Sequence, residues 1–229
     1  MEYLSVFNKN IAKHVVINNK KVKIATFFNS KTFSTEVAEY QKKVFDKFNL
    51  IINQYDNDIR HPEFMDNFMK NEDSDVYIFF DIDCIPLVSN IYELILNEVS
   101  DNSIFGVAQQ DNCFPNNVEY AGPSCFAINK IMYEKLGKIS FVEGQRDFLG
   151  VGRSHGDVAE EFSRVCRDND YKVNLWYPTH YDKDDQVWKL GDKYFGNGTI
   201  YNDSVYHCFE IRLKKNENRF IKKCKEILQ

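Results

Sequence analysis

The stretch Asp75–Leu87, DVYIFFDIDCIPL, limits the possible folds more than any other part of the chain. Its apolar residues Val76-Tyr77-Ile78-Phe79-Phe80 run without a break into Asp81-Ile82-Asp83. A continuous apolar run of this length predicts a strand covered on both faces, the kind found in the middle of a parallel sheet. Carboxylates at the end of such a strand need a partner or a cation. Open α/β sheets hold ligands at the carboxyl ends of their strands. Asp81 and Asp83 therefore stand where a metal and a phosphate group belong. In an extended chain the two share a face, because side chains repeat every second residue. A bare D-x-D triplet is common and often marks a solvated turn. The buried strand before it gives this one weight.

The flanking sequence predicts alternating strands and helices. Lys21–Phe28, KVKIATFF, reads as a first core strand, and Thr35–Phe48 as a helix with Val37, Tyr40, Gln41, Val44, Phe45 and Phe48 at helical spacing. Thr32 or Ser34 is placed to cap that helix. Leu50–Tyr55 reads as a second strand, and His61–Lys70 as a helix opened by Pro62. A helix over Val88–Val99 and a strand over Ser103–Ala108 follow the central strand. Gly122–Ile128 reads as a short strand, with Asn129 able to cap a helix stopped by Gly137. The alternation predicts an α/β fold with a mostly parallel central sheet flanked by helices. Farther on, glycine-rich Gly150–Gly156 leads into Asp157 and a helix carrying Val158, Phe162, Val165 and Cys166 on one face. Tyr171–Trp176 and Val205–Phe209 read as strands. Residues 181–204 are polar and lack periodicity, which predicts a long functional or mobile loop. Asn218–Leu228 reads as an amphipathic C-terminal helix.

With 229 residues and 43% hydrophobic content, the chain has enough for one sizeable core, so a single domain over 1–229 is expected. No segment reaches the ~18 consecutive apolar residues of a membrane span, and the N-terminus lacks a signal-peptide core. Its 6 cysteines include no C-x-x-C pair, which points to reduced thiols and a cytoplasmic protein. A net charge of −5 without a long basic run argues against nucleic acid as a partner.

Four stretches in order resemble a GT-A-fold glycosyltransferase. The β-α-β start resembles its nucleotide-binding half, over about residues 21–110. YIFFDIDCIPL resembles its apolar strand with the D-x-D motif. EYAGPSCFAINKIMYEKLG resembles its acceptor-side segment, within an acceptor half over about 111–210, and HGDVAEEFSRVCRDNDYKV its acidic helix. Late in the chain, His207 matches a C-terminal metal ligand seen in many members. The resemblance implies a hexosyltransferase-like enzyme that moves a sugar from a nucleotide-sugar, a UDP-sugar by preference, to a glycan or other hydroxyl acceptor. It implies a metal site of Asp81, Asp83 and His207, in which Asp83 binds the ion directly and Asp81 binds it through water or holds the donor ribose. Oxygen ligands with one imidazole suit Mn²⁺, with Mg²⁺ as the alternative.

The same resemblance makes Asp157 the candidate catalytic base, although an acid at a helix start is ordinarily a cap. Glu160 and Glu161 stand behind it, or serve as first-turn acids favoured by the helix dipole. Phe28 and Asn29 would lie beside the nucleoside, Tyr55 would stack on or bond the base, and Arg60 would meet a phosphate. Lys183, Trp188, Lys189 and Lys193 would close over the diphosphate as a lid. Competing expectations are a HAD-type phosphatase, a nucleotidyltransferase and a non-catalytic nucleotide-sugar-binding module. The first places its D-x-D near the N-terminus, and the second carries a glycine-rich loop that TFFNSKTFS lacks.

Overall fold

A computed structural model describes residues 12–110, 118–141, 157–183 and 186–229. In chain order its elements are β1 (His14–Ile17), β2 (Lys20–Phe28), α1 (Thr35–Lys47), β3 (Asn53–Asp56), α2 (His61–Asn71), β4 (Val76–Phe80), β5 (Cys84–Pro86), α3 (Ile91–Glu98) and β6 (Ser103–Gln110). They continue with β7 (Glu119–Asn129), α4 (Lys130–Lys135), α5 (Glu160–Asp168), β8 (Lys172–Trp176), β9 (Pro178–Tyr181), β10 (Val187–Leu190) and β11 (Lys193–Gly196). The last three are β12 (Gly198–Tyr201), β13 (Val205–Cys208) and α6 (Lys214–Leu228).

The central sheet has seven strands in the order β1-β2-β4-β7-β6-β8, with β3 beside β2. It is α/β, but mixed and not mostly parallel. β2 pairs with β3 and β4, and β6 with β8, in parallel. β1–β2, β4–β7 and β6–β7 are antiparallel. The difference lies in β7. It is eleven residues long and runs antiparallel to β4 on one side and to β6 on the other. Gly106 lets β6 and β7 approach closely, since a Cβ there would lie 2.7 Å from that of Ala121.

The central apolar run is covered on both faces. Val76, Ile78 and Phe80 pack with Phe45 of α1 and with Ile91, Tyr92 and Ile95 of α3. Tyr77 and Phe79 point the other way, onto Phe64, Phe68, Met132 and Phe162 from α2, α4 and α5. At ~1.5–3 kcal/mol for each large apolar side chain removed from water, this strand is the mechanical centre of the fold. Local signals set the helix ends. Ser34 Oγ accepts from the Glu36 amide at the start of α1, Asn129 Oδ1 accepts from Met132 at the start of α4, and Gly137 turns left-handed (φ 74°) just after α4.

Residues 181–204, expected as a loop, hold strands. β10 and β11 form a hairpin, and β9, β12, β13 and β5 form an antiparallel four-stranded sheet. Polar outer residues hid β10 and β11, which bury only part of their surface, while β12 is mostly buried but only four residues long. Helix α6 begins one turn earlier than its apolar periodicity suggests, at Lys214. Among the described residues no helix is long and apolar enough to cross a membrane.

Candidate metal centre

β4 ends at Phe80, and the next residues turn. The Cys84 amide donates to the Asp81 carbonyl at 3.0 Å, which closes the turn before β5 begins. Asp81 and Asp83 therefore converge through a turn and not through strand alternation. The turn is held from outside by a residue whose sequence context places it only on a helix face. Gln41 of α1 is fully buried, and its Nε2 donates to the Asp81 carbonyl at 2.7 Å and the Cys84 carbonyl at 3.0 Å. Gln54 in turn donates to Gln41 Oε1 at 3.0 Å, fixing the amide's orientation. On the other side the Asp81 amide donates to the Ser124 carbonyl at 2.9 Å.

The histidine arrives by strand pairing. β13 runs antiparallel to β5 with His207 opposite Cys84, and the Cys208 amide donates to the Asp83 carbonyl at 3.0 Å. This register sets His207 Nε2 3.3 Å from Asp83 Oδ1 and 3.9 Å from Asp81 Oδ2. The potential ligand atoms of Asp81, Asp83 and His207 all lie within 4.8 Å of one another. A second imidazole sits on the far oxygen of Asp81: His61 Nε2, at the start of α2, is 3.4 Å from Oδ1. The His61 ring lies parallel to Phe27, with centroids 6.0 Å apart. Neither its isolated position nor its neighbours in the sequence marked it as a site residue.

The electrostatics suit a cation. Burial pushes the Asp81 carboxyl pKa up. His61 and His207 pull it down, the neighbouring Asp83 charge raises it further, and the net direction is upward. Burial lowers the His207 pKa, but the charges of Asp83 and Asp81 and the hydrogen bond to Asp83 outweigh it and hold that pKa above its ordinary value. The Asp83 side chain is 9% exposed and that of His207 5%. Two carboxylates at such close quarters are costly unless a positive charge joins them. The two ring nitrogens of His207 differ: Nε2 faces both acids, while Nδ1 is buried without a hydrogen-bond partner among the described residues. Two hard oxygens and one imidazole nitrogen fit Mn²⁺ or Mg²⁺.

Asp81 and Asp83 form one wall of a cleft of about 890 Å³, whose other walls include Asn29, Arg60, His61, Val158 and Arg212. Asn29 Nδ2 donates to Asp58 Oδ1 at 2.7 Å. Arg60 Nε donates to Glu63 Oε1 at 2.9 Å across the first turn of α2. Other expected donor contacts lie elsewhere. Phe28 is buried beneath α1 and α6. Tyr55 packs against Phe64 and Phe68, with centroids 5.3 and 5.7 Å away. Trp188 belongs to the β10–β11 hairpin and stacks on Phe195 at 5.2 Å, so it is anchored and not part of a loose lid. Lys189 and Lys193 lie on that hairpin, and Lys183 lines a different cleft.

Asp157 is exposed and does not cap α5, whose N-cap is Ala159 in a left-handed conformation (φ 69°). Its Oδ2 accepts from Tyr120 Oη at 3.0 Å, and its amide donates to Glu160 Oε2 at 2.9 Å. The same tyrosine hydroxyl is 2.9 Å from Gln109 Oε1, and Gln109 Nε2 donates to Ser124 Oγ at 2.9 Å. Tyr120 and Gln109 thus lie between Asp157 and Ser124, whose carbonyl receives the Asp81 amide. Glu161 forms an ion pair with Arg164. The glycine-rich segment Gly150–Gly156 falls outside the described residues.

No family model matches the chain, and no curated protein matches it. Among solved structures it is similar to A197 from STIV, at 12% identity and a TM-score of 0.41, over 81% of this chain and 93% of that one. It is also similar to the bifunctional IspDF from Campylobacter jejuni, at 10% identity and a TM-score of 0.33, over 68% of this chain and 48% of that one. Neither likeness carries an argument about function.

Proposed function

We propose that the protein is a divalent-metal-dependent glycosyltransferase that moves a sugar from a nucleotide-sugar to a hydroxyl acceptor. The observation that carries this reading is the convergence of Asp81, Asp83 and His207 at the carboxyl end of a central strand, with both acids on the wall of a cleft and His207 buried behind them. The three side chains would hold Mn²⁺ or Mg²⁺. Once bound, that ion supplies a positive charge to stabilise a departing diphosphate. The chain's own side chains add to it, since Arg60, His61 and Arg212 line the same cleft and would meet phosphate oxygens.

Gln41 keeps the metal-binding turn rigid, so that the carboxylates are preorganised. Asp157 is the candidate acceptor-side acid. Tyr120 orients it, and its neighbour Val158 lines the cleft. If the reaction inverts the anomeric centre, Asp157 Oδ2 would take the proton of the acceptor hydroxyl.

The test is calorimetric titration of UDP with and without Mn²⁺, on the native chain and on Asp83→Ala. Binding that needs both the metal and Asp83 supports the reading, and a panel of UDP-sugars then identifies the donor. Silence from UDP, GDP and CMP alike sinks it.

A further inference from the structure

A second cleft, of about 640 Å³, lies on the opposite face of the small sheet. Successive strand residues point to opposite faces, so His207 serves the metal centre while its neighbour Tyr206 lines this second space. The far wall is α6. Arg219, Lys222, Lys223 and Glu226 recur at i, i+3, i+4 and i+7 and form one stripe along the helix. A second stripe, with Phe220 and Cys224, packs into the core. The polar stripe therefore faces a sheet across open space, whereas the outer face of a terminal helix normally meets only bulk water.

Among the described residues four Lys and Arg side chains, including Lys183, line this cleft against two acids, Asp182 and Glu226. Both acids are engaged. Arg219 Nε is 3.3 Å from Asp182 Oδ2, and Lys223 Nζ is 3.7 Å from Glu226 Oε2. Subtracting those two pairs from the four cations leaves Lys183 and Lys222 in surplus among the described residues of the lining. This happens in a chain whose net charge is −5. Two of the cations are set over aromatic walls: Lys183 over Tyr181 and Lys223 over Tyr206, each 5.8 Å from the ring centroid. Gly198 keeps the floor open. A Cβ there would lie 2.3 Å from Asp182 Oδ2 and 2.7 Å from Tyr206 Oη, and so would displace the carboxylate that holds Arg219.

We propose that this cleft is a binding site for a soluble, phosphate-bearing small molecule, separate from the metal centre. The volume suits a ligand of nucleotide or sugar-phosphate size. Phosphate is matched by the Lys183 and Lys222 point charges beside the Arg219–Asp182 pair, and Tyr181 offers a ring against which an attached organic group packs. The site stands whether or not the glycosyltransferase reading does, because it uses none of the same residues.

The probe is pyrophosphate, titrated calorimetrically into the full chain at low salt with EDTA present. Saturable one-site binding is expected, weakened about tenfold or more when Lys222→Glu and Lys223→Glu are combined and unchanged in Asp83→Ala. Binding that persists in the Lys222/Lys223 variant, is lost in Asp83→Ala, or never saturates overturns the proposal. Amide NMR of the native chain tests the same point without a variant. The Gly198 and Tyr206 resonances are expected to move with pyrophosphate, and resonances that stay still count against the site. Sedimentation with phosphatidic acid vesicles, in the absence of pyrophosphate binding, would assign the cleft to a lipid headgroup and refute a soluble ligand.

Discussion

The two halves of the metal centre are made in different ways. Asp81 and Asp83 follow a strand that is buried because its own residues are apolar, and the turn after it is pinned by neighbouring backbone and by Gln41. His207 sits on a four-residue strand, and its place depends on pairing with β12 on one side and, on the other, with β5, more than a hundred residues earlier in the chain. The acids are positioned by local sequence and the imidazole by tertiary register. The first half should therefore fail through loss of packing and the second through loss of pairing.

The largest expected effect breaks the first half. Phe80→Ala removes a fully buried ring that packs edge-on to Phe45. It should cost about 3–5 kcal/mol, read from denaturant midpoints. Asp83→Ala removes a ligand and leaves the core alone. Mn²⁺ affinity should fall by roughly a hundredfold or more, beyond the 10–100-fold typical of groups that only support ligands, while the metal-free chain still folds. Gln41→Leu lies between the two. It strips the donors from two carbonyls of the turn, so a loss of about 1–3 kcal/mol is expected, together with weaker Mn²⁺ binding.

A milder probe is pH. Asp81 and His207 both have pKa values raised by folding, so the native chain binds more protons than the unfolded one, and stability falls as pH rises. The Asp81 contribution is complete below about pH 4 and the His207 contribution below about pH 6.5. Each is lost as pH climbs through its folded value. Metal-free protein should therefore melt lower at alkaline than at mildly acidic pH. The drop should be on the order of 2–4 °C for each kcal/mol lost, and Mn²⁺ should abolish it. Metal affinity itself should rise with pH, because the ion displaces protons. Smallest of all, Val187→Ser on the outer face of the hairpin should stay within about 0.5 kcal/mol of the native chain.

The same contrast explains what was legible in the sequence. The apolar run, the D-x-D and the caps at Ser34 and Asn129 are local patterns, and the structure contains them. The antiparallel course of β7 was hidden, because an apolar strand reads alike in either direction. The strands within 181–204 were hidden because residues such as Lys189, Lys193 and Tyr194 face outward and dilute the alternation. Gln41 was visible as a polar residue on an apolar helix face, and that mismatch was the one signal that could have exposed its role. His61 had none, since only the packing of α2 brings it to Asp81.

The anchoring of Trp188 has an optical consequence. Its ring lies 5.9 Å from that of Phe209, which in turn lies 4.1 Å from the His207 imidazole. The chain has only one other tryptophan, Trp176, which sits in the central sheet with its indole nitrogen bonded to Glu98. One fluorophore thus stands a single ring away from His207 and the other in the central sheet, so the unlabelled protein carries its own gauge of occupancy together with an internal reference.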